Sequence, residues 1–227
     1  MNLYGSISTE AHSVLTRATS VLRTALVGTL VVGSLAGCGL LRTGQRAVTT
    51  YAVDPLITAD PSWPTVPWQL AVGAGAASRQ VDGLRIAVRP TSHELQVYKG
   101  AQWSRRPSEM VGDTVLRALE ESGRLSAVAR VGGGVSTEYR LMLEVRRFES
   151  DYATGTPTAT VEVNAMLLHA ADQKIVASRT LVERTPATDV SIPAVVAAFE
   201  QTLAKTGSAL TSWTLKAGAL HDQTAHR

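Results

Sequence analysis

Apolar and polar residues alternate along three long stretches in the second half of the chain. Tyr139, Leu141, Leu143 and Val145 fall on one side of the first, with Arg140, Glu144 and Arg146 on the other. Ala159, Val161, Val163, Ala165 and Leu167 repeat the arrangement against Thr160, Glu162 and Asn164. A third stretch runs from Lys174 to Arg184, and Asp172–Gln173 makes a suitable turn before it. A period of two sends successive side chains to opposite faces, so these stretches predict an antiparallel meander with one buried face. Shorter extended segments precede it at Val48–Val53, Trp68–Gly73, Leu84–Arg89, Leu95–Tyr98 and Leu125–Val131. Pro61, Pro64 and Pro67 keep the intervening segment out of any central strand. Gly100–Ser104 is expected to turn the chain, and Gly73–Ala77 to form a small-residue loop.

Twice the period lengthens to that of a helix. Pro107 suits a first helical turn, Met110, Val111, Val115, Ala118 and Leu119 follow at helical spacing, and Gly123 is placed as a C-terminal cap. A second helix is expected from Ile192 to Lys216, with Ser191 as N-cap and Pro193 in its first turn. Its stripe is Val195, Phe199, Leu203, Thr206, Leu210 and Trp213. Two amphipathic helices can cover the apolar face of one sheet. The expected fold is α+β: a single-domain two-layer sandwich over residues 48–217, mainly antiparallel, with both helices packed on one face. Residues 218–227 read as a polar tail.

The front of the chain has a different pattern. Ala25–Gly37 carries no charge, follows Arg17 and Arg23, and ends at Cys38, the only cysteine. A helix of that length spans about 20 Å, short of the roughly 30 Å of a bilayer core. The run therefore fits the apolar region of a secretory signal over residues 1–37. Leu35-Ala36-Gly37-Cys38 has the form of a bacterial lipobox, which makes Cys38 the expected lipidation site and residues 38–47 a tether. No Asp follows Cys38; by similarity to bacterial lipoprotein sorting, Gly39 and Leu40 imply the outer membrane.

Charge adds little. The chain carries a net +3, and its basic residues are scattered apart from Arg105-Arg106 and Arg146-Arg147, which read as solvated faces rather than a nucleic-acid footprint. No catalytic residue, cofactor site or metal site is expected. His12, His93, His169, His221 and His226 lack metal-ligand spacing, His93-Glu94 reads as a surface pair, and no nucleophile elbow occurs. Trp103 is expected to pack in the core. The loop bearing Trp63 is open between packing and a lipid or partner contact.

Taken in order, these features resemble the ABC-type transport auxiliary lipoproteins, a family that includes the lipoprotein of the paraquat-inducible operon. The resemblance rests on Cys38, the early strand at Tyr51 with its Pro-bearing segment, Leu84-Arg85-Ile86-Ala87-Val88, and Tyr98 ahead of Trp103. Pro107 opening a helix, Tyr139 to Phe148, the later hairpin and the long final helix continue it, so that it covers Tyr51 to Leu215. It implies a non-catalytic accessory of a mammalian-cell-entry (MCE) type transporter, with an MCE-domain protein, a permease and an ATPase as partners. It also implies a lipid-anchored place on the periplasmic face of the outer membrane and intermembrane lipid transport. The alternative is a periplasmic carrier that binds phospholipid or another small molecule in its own pocket between sheet and helices. Homo-oligomerisation stays open, since long strands with mixed faces can stack into rings.

Overall fold

The computed structural model describes residues 47–73 and 75–225, and from Val48 onward the chain forms one unit. Among these residues are nine strands: β1 (Thr49–Tyr51), β2 (Gln69–Val72), β3 (Ala76–Ala77), β4 (Arg85–Arg89), β5 (Gln96–Trp103), β6 (Ala127–Arg130), β7 (Tyr139–Asp151), β8 (Thr158–His169) and β9 (Lys174–Pro186). The two helices are α1 (Pro107–Ser122) and α2 (Ile192–Ala225).

The meander is present as expected. β7 pairs antiparallel with β8, and β8 with β9, along nearly their full lengths. The turn falls at Gln173, which adopts a positive φ of 58°. The other edge of β7 is shared end to end by three short strands, all parallel to it. Leu70–Val72 of β2 lies beside Tyr139–Leu141, Ala76–Ala77 beside Glu144–Val145, and Ala87–Arg89 of β4 beside Glu149–Asp151. β6 extends the sheet beyond β2; β5 and then β1 extend it beyond β4. The result is a mixed, mostly antiparallel sheet in an α+β domain, with both helices against one face.

A bulge in β7 sets its two faces. The register with β8 shifts between Val145 and Arg147, leaving Arg146 as the extra residue. Parity inverts there. Tyr139, Leu141, Leu143 and Val145 point to the helices before the bulge, and Phe148 does so after it. Phe148 packs against Trp103 of β5 and Phe199 of α2, with ring centroids 5.8 and 4.8 Å away, and Trp103 meets Phe199 at 5.1 Å. Three distant segments thus meet in one aromatic cluster.

Several local readings are corrected. Gly100 does not end an extended segment; with φ 71° it kinks β5, which continues to Trp103. The small-residue loop contains β3, which pairs with β7. Leu84 is 42% exposed although it alternates with buried Ile86 and Val88, because β4 begins one residue later. α2 does not stop at Lys216 but runs on to Ala225, through residues expected to be a tail. Elsewhere the end signals hold. Gly123 caps α1 at φ 61°, and Ser191 Oγ accepts the Ala194 N–H at 3.3 Å.

Phe148→Ala should lower unfolding free energy by about 3–5 kcal/mol, because it empties the joint between sheet and α2. Urea unfolding followed by fluorescence measures this, and a loss under about 1 kcal/mol would contradict the packing described.

Candidate functional site

Cys38, the expected lipidation site, lies outside the described residues, as do His12 and His226. Among the described residues no three His, Cys, Asp or Glu side chains gather as a metal site, and no helix is long and apolar enough to cross a membrane. Trp63 and Trp103 are buried, at 3% and 1% exposure, and so is Trp68 at 3%. The Trp63 loop is therefore packed inward and offers no indole to a lipid or partner surface.

What the domain does present is the sheet face turned away from the helices. Its residues are those between the core positions of the meander. Near the β8–β9 turn they are apolar: Met142 pairs across with Met166, and Leu168 stands between Arg140 and Ile175. Met142 and Ile175 are 46% and 55% exposed. Polar residues follow, with Asn164 donating to Thr180 Oγ1 at 3.1 Å. Beside the apolar end lies an open groove of about 570 Å³ lined by Gln69, Val135, Glu138, Arg140, His169 and the Ala170–Ala171 turn.

The far end of this face is charged. Glu149, 3% exposed, accepts from Arg89 Nε at 2.7 Å and Nη2 at 3.0 Å, and from Arg147 Nε at 2.7 Å. Arg147 also reaches Asp151 at 2.7 Å. The bulge explains the arrangement: it turns Arg147 and Glu149 to the same face, so half of the Arg146-Arg147 pair is a clamp and not a solvated face. Arg105 likewise is not idle, since it pairs with Asp113, which also takes Arg130 at 2.8 Å. Burial raises the Glu149 carboxyl, but the hydrogen bonds and charges of Arg89 and Arg147 outweigh it and hold the group below its usual range. His93 and Glu94 are exposed, as read.

Two hydroxyl clusters escaped sequence reasoning. Tyr98 donates to Ser150 Oγ at 3.1 Å and meets the Tyr152 hydroxyl at 3.1 Å, and burial pushes its ionisation well above the usual value. Tyr139 meets His221 Nδ1 at 2.8 Å across 82 residues of chain. No local signal links such partners.

The fold and this surface define an α+β domain with one sheet face left uncovered by its helices. The comparisons specify it further. The family model described as the ABC-type transport auxiliary lipoprotein component matches residues 51–210. A Xanthomonas campestris protein of the DUF330 family is 47% identical, with 77% of this chain and 99% of that one aligned at a TM-score of 0.73. An uncharacterized protein of 12% identity shares the fold alone, at a TM-score of 0.57 over 73% of this chain and 97% of its own. No curated protein matches. The chain belongs to the ABC-type transport auxiliary lipoprotein family.

Glu149→Gln should cost about 3 kcal/mol, since it leaves two guanidinium groups facing a neutral amide in a buried setting. The pH sign follows from the lowered carboxyl. Its contribution is complete above the unfolded value of about 4.3 and is lost as pH falls through the folded value. Acid titration of stability should therefore be steeper below about pH 4.3 in the parent than in the Gln variant, as circular dichroism can record.

Proposed function

We propose that this chain is a non-catalytic accessory lipoprotein of an MCE-type ABC transport system. In this reading a lipid on Cys38 fixes it to the periplasmic face of the outer membrane. There it docks the MCE-domain protein that leads from the permease and ATPase, and so serves intermembrane lipid transport. The observation that carries the reading is the family match over residues 51–210 directly downstream of the lipobox that ends at Cys38.

Physical arguments support docking. An acyl anchor confines the domain to a surface and raises its effective concentration for a partner there. The layer between sheet and helices is filled by large side chains: Trp103, Phe148, Phe199, Leu141, Leu167, Leu203 and Leu210 are all under 2% exposed. A carrier pocket in that layer would need those residues to leave. The open face, with Arg140 set among Met142, Leu168 and Ile175, supplies the docking surface instead.

Cys38→Ser should abolish metabolic palmitate labelling and move the protein from the membrane to the soluble fraction; unchanged fractionation refutes the anchor. Arg140→Glu should weaken capture of an MCE-domain partner by about tenfold, with thermal stability kept. Equal capture would remove this face from the interface. Phospholipid that co-purifies in stoichiometric amount, with no partner captured, would favour the carrier.

A further inference from the structure

The last turns of α2 are fastened to the sheet through one small cluster that contains two imidazoles. Trp68 lies under Gly218, where an added Cβ would come within 2.4 Å of the indole Cζ2, so the helix can lie on the ring only because this residue is glycine. The indole packs on Tyr139 with centroids 4.7 Å apart. One turn beyond Gly218, His221 Nδ1 meets the Tyr139 hydroxyl at 2.8 Å. The His221 ring stands 5.0 Å from that of His169 at the end of β8. His169 Nδ1 in turn lies 3.0 Å from Asp172 Oδ1.

The proton positions in the closed state follow. Burial, helped by the charges of Asp222 and Glu138, pushes ionisation of Tyr139 up to about 12, so the phenol keeps its proton. With the phenol donating, Nδ1 of His221 is the acceptor and the imidazole hydrogen sits on Nε2. Imidazole is the side chain that changes charge between about pH 5 and 8.

We propose that His221 and His169 form an acid-sensitive latch that releases the end of α2 and uncovers the Trp68–Tyr139 pair beside the Arg140 groove. A proton on His169 lies against the Asp172 carboxylate, which Lys174 shares at 3.4 Å. A proton on His221 turns Nδ1 from acceptor to donor, removes that acceptor from a buried hydroxyl, and sets two positive rings 5.0 Å apart. Glu138, just before β7, and Asp222 on α2 place negative charge beside Tyr139. Arg140 adds positive charge from the groove side and opposes it. Release is also favoured at Trp68, whose Nε1 is buried without a hydrogen-bond partner and would gain water.

Hydrogen exchange of the full lipoprotein in detergent, corrected for intrinsic rates, tests the latch. Between about pH 7.5 and about pH 5, protection at residues 219–225 should fall by about tenfold while residues 195–210 keep theirs. Tyr139→Phe should leave 219–225 weakly protected at both pH values. His169→Gln, at a half-exposed strand end, should shift the loss to lower pH, and it decides the question by itself if the Phe variant does not fold. Equal protection at both pH values overturns the latch, as does an unaltered pH response in His169→Gln or a loss spread over the whole domain.

Discussion

Strand β7 must satisfy two ladders at once, and the rest of the structure is arranged around that demand. One edge is taken by β8 over nearly its whole length, and the other is divided among β2, β3 and β4. A strand with both edges paired and one face under helices is the most completely buried backbone in such a fold, so its hydrogen bonds have no substitute in water. The bulge at Arg146 is what allows a charged face on so buried a strand. By inverting parity it keeps Val145 and Phe148 both in the core and gathers Arg147, Glu149 and Asp151 on the other side. There Arg89 arrives from β4 to complete the neutralisation.

The meander and both helices were legible because their partners are near in sequence and their periods are long. The parallel pairings of β2, β3 and β4 were not. Parallel neighbours are joined by crossovers, and nothing in Leu70–Val72 or Ala76–Ala77 specifies which stretch of β7 they will lie beside. Gly100 reads as a turn because glycine permits a positive φ; the same permission serves a bulge within a strand, and only the pairing of Arg85 with Gln102 distinguishes the two. Residues 218–225 read as a tail because their composition is polar. Their attachment comes from Trp68, Tyr139 and His169, none of which is close in sequence.

The site was less legible than the fold, for a related reason. The proposed lipidation site, Cys38, rests on a local sequence motif. A docking face has no such motif, since it consists of whatever the second side of the alternation carries. Arg140, Glu144 and Arg146 were visible as that second side, but the partition into an apolar end and a charged end required the register of β8 and β9. The Arg146-Arg147 pair shows the limit well. As sequence it is two solvated arginines; as structure one is exposed, and the other clamps a buried carboxylate.

A filled interior narrows how such a domain can serve transport. With the aromatic cluster closing the space between layers, binding energy has to come from outer surfaces, and a partly apolar sheet face of modest area binds weakly unless something else supplies concentration. A membrane anchor is such a supply: it restricts the domain to a plane and converts a weak contact into a productive one without any added interface. In the proposed role, weak docking helped by an anchor would also keep the contact reversible. The proposed lipobox and the filled core therefore support the same proposed role.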